Sequence, residues 1–416
     1  MSHTKPFVIS KKLVMQAYRL VKANRGCSGI DEQSFADYEN NLKNNLYKLW
    51  NRMSSGSYFP SPIRAVSIPK RSGGKRVLGI PTINDRIAQT VVKLLIESEI
   101  DSIFAKDSYG YRPNKSALDA IGITRTRCWK YDWVLEYDIK GLFDNISHSL
   151  LMKAIRKHVK TKWILLYIKR WLTAPMQEVD GNLVTRNKGV PQGGVISPIL
   201  ANLFLHYVFD SWMKRTHPTL AWCRYADDGL IHCNTEEEAN SLVIALKERY
   251  AECGLELHSG KTKVVYCKDS RRTGRYHTTS FDFLGYTFRS RAVINPSNRV
   301  VFTGFTPAVS SSALKSMRST IRKLNVRNRT HCSIEKLSKE LNPILRGWIN
   351  YYGKYSKSAM SPLTRHLNLT LVAWAMRKYD KLNRHKTKAG RFIKRLSQDK
   401  PELFAHWSLG FKGAFA

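Results

Sequence analysis

Asp227 and Asp228 stand side by side in LAWCRYADDGLIHCN (residues 220–234), between an apolar run that leads to Tyr225 and a second apolar run. Adjacent anions repel, and both need compensation. A polar hairpin turn is the ordinary use of such a pair, because Asp favours turns. A further carboxylate, Asp138, closes WVLEYD, another short run of strand type. Two strand ends in one sheet can bring the three acids together, and three anions within a few Å require cations. Mg²⁺ is the natural partner: it takes oxygen ligands, keeps several waters and shares its site with substrate phosphates. Two such ions roughly 4 Å apart activate a 3′-hydroxyl and stabilise a leaving pyrophosphate. Asp138 and Asp227 would then bridge the metals and Asp228 would support them from the side, because neighbouring strand residues face opposite ways. Asp144, in DIKGLFDNISH, is expected as a structural or capping carboxylate.

The elements that must position these groups follow from periodicity. Residues 10–24 put Leu13, Val14, Ala17, Leu20 and Val21 on one helical face. NRGCSGID (24–31) is a glycine-broken loop, and residues 32–54 are predicted helical. RAVSIPK and KRVLGIP are strands around the turn RSGG, and 85–100 is a buried helix. Residues 133–139 form a strand, and HSLLMKAIRKHV and 162–172 are helices. GVPQGGVISPILANLFLHYVFDSWM opens with a turn and becomes one long apolar helix. The 220–234 stretch supplies two strands, 235–254 a helix ending at Gly254, and FDFLGYTF (281–288) a further strand. The order predicts an α+β unit with an antiparallel sheet and helices on one side. From about residue 307 the pattern becomes helical: LKSMRSTIRKL, IEKLSKELNPILRGWINYYGKYS and HLNLTLVAWAMRKYDKL.

Composition narrows the partners. The 416 residues carry 69 Lys+Arg against 32 Asp+Glu, a net charge of +37. Such a field attracts polyanions and makes their binding salt-dependent. Residues 311–400 alone hold 22 Lys+Arg against 4 Asp+Glu, or +18. The seven Cys include no C-x-x-C pair, so a zinc site is unsupported and free thiols in a reducing compartment are expected. No apolar run reaches the ~20 residues of a membrane helix, and MSHTKPFVISKK lacks a signal-peptide core. A bacterial cytoplasmic protein with no membrane partner is expected, as monomer or homodimer.

Nine blocks in order then resemble the reverse transcriptases of bacterial group II introns, with a fused maturase region. They are GCSGID, IPKRSGGKRVLGIPTINDRIAQ, SYGYRPNKSALDAI, EYDIKGLFDNISH, GVPQGGVISPILANLFL, CRYADDGLI, GLELHSGKTKV, FDFLGYTF and RGWINYYGKYS. A lone Tyr-x-Asp-Asp is weak, but nine ordered blocks over nearly the whole chain are specific. The resemblance implies a right-hand polymerase fold: an N-terminal extension (1–60), fingers and palm (61–300), a helical thumb or maturase region (301–375) and a basic C-terminal segment (376–416) able to bind DNA or RNA. It implies an RNA-directed DNA polymerase that uses two Mg²⁺ ions and deoxynucleoside triphosphates, copies an RNA template from a DNA or RNA primer 3′ end, and grips intron RNA to promote splicing and mobility.

By the same resemblance Asp138, Asp227 and Asp228 are catalytic, and Ile139 joins them in the metal set. Lys70 and Arg76 hold the incoming triphosphate, which suits a point-charge Lys and a forked Arg. Phe143 screens the sugar 2′-position, Gln192 in PQGG lies beside the nascent base pair, and Lys261 in SGKTK sits near the primer end or phosphates. Arg112 and the loop at Arg25 contact template, and Arg346, Arg377, Lys378 and Arg384 contact RNA. Many such relatives continue into a zinc-bearing HNH endonuclease; with no Cys pair after Cys332, second-strand cleavage is not expected. Two alternatives keep the cationic surface but change the role. One is a domesticated enzyme copying a dedicated non-coding RNA, as in antiphage defence; the other is an RNA-binding splicing factor with an idle polymerase.

Overall fold

Ser and Thr mark where many of the helices begin. Ser10, Thr82, Ser147, Thr235, Ser310 and Ser333 each accept a backbone N–H three residues on. They cap the helices Lys11–Ala23, Ile83–Ile103, His148–His158, Glu236–Glu252, Ser311–Lys323 and Ile334–Tyr352. The computed structural model describes residues 6–69, 73–294, 297–413 and 415. The stretch predicted as one helix over 32–54 is two, Phe35–Asn40 behind a Ser34–Asp37 capping box and Leu42–Ser55, broken at Asn41.

Among the described residues the strands are β1 (Ile63–Pro69), β2 (Lys75–Ile80), β3 (Trp133–Tyr137), β4 (Met176–Gln177), β5 (Leu183–Val184), β6 (Ala221–Tyr225), β7 (Asp228–Cys233), β8 (Lys263–Tyr266), β9 (Ser280–Phe283), β10 (Tyr286–Ile294) and β11 (Val301–Val309). They form three sheets, ordered β2-β1-β4-β5, β6-β7-β3-β8 and β11-β10-β9. β1 and β2 pair antiparallel from Arg64↔Ile80 to Pro69↔Lys75, while β1 runs parallel to β4. Mixed helix and strand, with an all-helical run from Ser311 onward, agrees with the α+β class followed by a helical region.

The structure corrects three sequence expectations. FDFLGYTF is not one strand but the β9–β10 hairpin, because Leu284 (φ 50°) and Gly285 (φ 80°) both take the left-handed conformation of a tight two-residue turn. β11 was not predicted at all. The long apolar helix is interrupted: Ser197–Leu205 passes into a π-helical turn, His206–Asp210, before Ser211–Thr216.

The chain divides into two compact units, Met1–Ala120 with Leu135–Val264, and Ile121–Val134 with Val265–Ala416. The first holds the candidate site. The second is built round Met317, Leu337, Leu341, Leu345, Leu371 and Trp374. Its core also takes in Ala389, Ile393, Phe404 and Trp407 from the basic C-terminal segment. Asn368 fixes that end: its Oδ1 accepts from His406 Nε2 (2.7 Å) and Trp407 Nε1 (3.0 Å). Its Nδ2 donates to the Gly413 carbonyl at 2.9 Å.

Candidate active site

β6 and β7 form an antiparallel hairpin whose last pair is Tyr225↔Asp228, so Asp227 lies in the turn and Asp228 opens β7. Ala226 turns the chain with φ 56°. Beside β7 runs β3, and Asp138 follows its last residue. Gly229 lies so close to the Tyr137 ring that a Cβ there would meet it at 2.1 Å. The start of β7 therefore lies against the end of β3, which brings Asp228 toward Asp138.

The turn is held from within the core. Arg224, fully buried, donates from Nε and Nη2 to Asp210 at 2.9 and 2.8 Å. Its remaining donors reach Ser108 Oγ (2.9 Å), Asn202 Oδ1 (3.1 Å) and the Ala226 carbonyl itself (3.1 Å). Asp210 closes the π-helical turn, so that irregularity coincides with the partner of Arg224. Residues of the SYGYRP block add a second brace. Tyr109 N donates to the Arg224 carbonyl (2.8 Å), Arg224 N to the Asp107 carbonyl (3.0 Å), and Asn202 Nδ2 to the Gly110 carbonyl (2.7 Å). A Cβ on Gly110 would meet Ala226 N at 2.4 Å, so only glycine admits this approach.

The three acids influence one another. Asp138 is buried, Asp227 half-buried and Asp228 exposed over part of its surface. Desolvation, then the charges of Asp227 and Asp138, push the Asp228 carboxyl up to about 7. Solvent that reaches Asp228 screens part of this effect. The Asp227 carboxyl is also raised, first by burial and then by Asp138, against the opposing pull of Arg76 and Lys261. Lys261 Nζ donates to Asp138 Oδ2 at 2.6 Å. That bond, with the charges of all three acids, raises the Lys261 ammonium against its burial. Among the described residues no three His, Cys, Asp or Glu side chains stand in metal-holding geometry. The donor chemistry nevertheless fits a hard divalent cation: carboxylate oxygens, mutually repelling, and two of them raised.

Around this centre the loops meet through backbone. Gly79 N on β2 donates to the Gln192 carbonyl (2.8 Å), and a Cβ on Gly193 (φ 125°) would meet the Gly79 carbonyl at 2.7 Å. Val190 N donates to the Phe143 carbonyl (2.6 Å) and His148 Nε2 contacts the Gly189 carbonyl (2.7 Å). Buried Gln89 receives Val195 N at 2.8 Å. Gln192 Nε2 reaches Asp144 Oδ1 at 3.3 Å, so Asp144 orients Gln192 as well as standing in the first turn of Leu142–Asn145.

The other expected site residues divide. Arg76 is exposed on β2, and its charge acts on Asp227. Phe143 is half-buried in Leu142–Asn145, and Ile139 is buried and bridged to Leu257. Lys70 lies outside the described residues. Arg112 is tied into the protein: its guanidinium is buried and donates to Asp101 Oδ1 (2.7 Å), Ala105 O (2.7 Å) and Ser108 O (2.9 Å), which anchors the SYGYRP loop. Arg25 is exposed at φ 46°. Its loop docks on the helix Ile83–Ile103, where Arg86 Nη2 donates to the Cys27 carbonyl at 2.7 Å. In the helical unit Arg346, Arg377 and Arg384 are exposed, whereas Lys378 Nζ is tied to the Thr330 carbonyl at 2.7 Å. Sequence reasoning missed Arg224 and Asp210. The available signal was a cation inside an apolar strand and an acid inside an apolar helix.

The reverse transcriptase (RNA-dependent DNA polymerase) family matches residues 68–288, and the chain belongs to that family. The group II intron maturase-specific domain matches residues 314–392, which makes it a group II intron-like reverse transcriptase/maturase. The chain is 30% identical over 335 residues to protein YkfC of Escherichia coli, covering 69% of this chain and 83% of that one. It is 32% identical over 204 residues to the group II intron-encoded protein LtrA of Lactococcus lactis, covering 48% of this chain and 33% of that one. Among solved structures, telomerase from Candida albicans aligns over 89% of this chain and 70% of that one at 15% identity and a TM-score of 0.46. No helix among the described residues is long and apolar enough to cross a membrane.

Proposed function

We propose that the chain copies RNA into DNA at Asp138, Asp227 and Asp228 by two-metal-ion nucleotidyl transfer, and that its helical unit binds structured intron RNA to promote splicing and mobility. The observation that carries the catalytic half is the mutual charge of the three acids on two adjoining strand ends, with Asp228 raised to about 7. Asp138, Asp227 and Asp228, with the backbone of Ile139 beside them, would hold Mg²⁺. When bound, Mg²⁺ supplies a Lewis acid for the 3′-hydroxyl and for the leaving pyrophosphate. Lys261, already on Asp138, offers an ammonium to phosphate or primer end. Arg76, and Lys70 by the resemblance, would grip the triphosphate; Phe143 and Gln192 would face sugar and base pair. The basic helical unit, with Arg346, Arg377 and Arg384 on its surface, suits phosphate contacts that follow a duplex or a folded RNA by shape.

Primer extension on an RNA template with Mg²⁺ tests this, comparing the wild type with Asp227→Ala/Asp228→Ala. Loss of DNA synthesis in the double variant is expected; equal synthesis by the two proteins would remove the catalytic assignment. A splicing assay with the same variant separates the halves, since retained splicing with lost extension is expected if RNA binding does not need the metals.

A further inference from the structure

The helical unit carries a concave site of its own, a cavity of ≈ 280 Å³ where the end of Ser311–Lys323, the turn at Asn325 and the middle of Ser361–Lys378 meet. Its apolar wall is Ile321 and Val326, both buried in the unit's core. Arg322 and Arg327 line it as well; both are exposed, and neither guanidinium has a hydrogen-bond or ion-pair partner among the described residues. Asn325 and Thr370 add polar groups. His366 completes the lining, and its Nε2 is buried without a partner. Burial and the charges of Arg322 and Arg318 hold the His366 ring pKa down, so it offers a neutral aromatic plane.

Two unpaired guanidinium groups alone would describe a phosphate patch. An apolar wall, a neutral ring and an amide in the same cavity ask for more than phosphate. A flat heterocycle with a phosphate attached matches all of them, since unpaired RNA bases stack on His and Arg planes and are recognised along their polar edges. The volume is close to the small end of ligand pockets, roughly 300 Å³. We propose that this cavity takes one unpaired nucleotide of a structured RNA, its base on the His366 ring, with Ile321 and Val326 closing the floor behind, and its phosphate at Arg322 and Arg327. The proposal rests on RNA binding by the helical unit.

Binding of the full chain to four RNA hairpins, each with a single bulged A, C, G or U, is compared with binding to the fully paired hairpin. The measurement is made in EDTA at fixed salt. Wild type is expected to prefer at least one bulged RNA by roughly tenfold, the scale of stacking one base. Thr370→Trp, which fills the cavity without changing charge, is expected to erase that preference, with its thermal unfolding compared with wild type. Should that variant fail to fold, Arg322→Ala/Arg327→Ala decides: it is expected to weaken bulged RNA more than paired RNA. Equal affinity of wild type for bulged and paired hairpins overturns the pocket, as does a folded Thr370→Trp that keeps the preference. Equal weakening of both RNAs by the double Ala variant reduces the site to a backbone-phosphate patch and likewise overturns it. Wild type that binds no hairpin at all would remove RNA binding by the helical unit together with the pocket.

Discussion

Arg224→Met should separate the stability of the polymerase unit from its chemistry. Arg224 and its partner Asp210 are almost without solvent contact, with side-chain exposures of 0% and 1%. Removing the guanidinium strands a buried carboxylate, and breaking such a pair from one side costs about 3–5 kcal/mol. His206 makes the loss pH-dependent. Its Nδ1 lies 3.8 Å from Asp210 Oδ2, yet its pKa is lowered, by burial first, with Arg224 also contributing. Without Arg224, His206 faces an unpaired carboxylate and should take up a proton, so its folded-state pKa rises above the unfolded value of about 6.5. A raised pKa contributes stability below the unfolded value and loses it as pH rises through the folded one. The variant should therefore be less destabilised at acidic than at alkaline pH in urea unfolding. Adding Asp210→Leu removes the stranded charge and should restore most of the stability, because a buried ion pair and an apolar pair are often of similar worth. DNA synthesis should not return. The Ala226 carbonyl still lacks its charged donor, a bond of about 1.5–3 kcal/mol, equivalent to roughly tenfold to a hundredfold in kcat if the turn must be fixed for chemistry. An Arg224→Met protein within about 1 kcal/mol of wild type, or a double variant that recovers synthesis along with stability, would refute this account.

Three shorter tests address other parts of the molecule. With Asp228 raised to about 7, Mg²⁺ must compete with a proton below that pH, so the Mg²⁺ concentration for half-maximal extension should rise as pH falls from 8 to 6; a flat profile contradicts the shift. Burial holds the His406 ring down to about 3, so the unfolded chain binds the extra proton between that value and about 6.5, and stability falls on acidification by roughly 1.4 kcal/mol per pH unit. His406→Gln should lose about 2 kcal/mol less than wild type between pH 6 and 4.5 in urea unfolding, and equal slopes would contradict the assignment. Gly110→Ala should displace the Ala226 turn, given a Cβ only 2.4 Å from Ala226 N, and lower kcat of primer extension at least tenfold; unchanged kcat would show that the SYGYRP brace is dispensable.

The hairpin that carries Asp227 and Asp228 was legible because two apolar strands flanking a pair of acids leave few alternatives, and the helical unit because Leu337, Leu341 and Leu345 keep helical spacing. The β9–β10 turn was hidden because Leu284, a residue that rarely takes φ above zero, occupies its first turn position. β11 escaped because its second half is buried on both faces and shows no alternation. The resemblance set Arg112 at the template, and no spacing in the sequence announces the Asp101 carboxylate and two carbonyls that surround its guanidinium. Arg224 and Asp210 could not be paired from spacing alone, since 14 residues and a reversal of the chain separate them.

The interleaving of the two units limits how the molecule can be dissected. Residues 121–134 belong with a partner that begins only at Val265, and Trp129 Nε1 reaches across 176 positions of sequence to the Phe305 carbonyl. A single scissor cut after Val264 would orphan that short insert from the fragment that shelters it, and leave its indole bare on the other. Separately expressed halves would need residues 121–134 grafted onto the downstream piece and replaced by a short bridge in the upstream one.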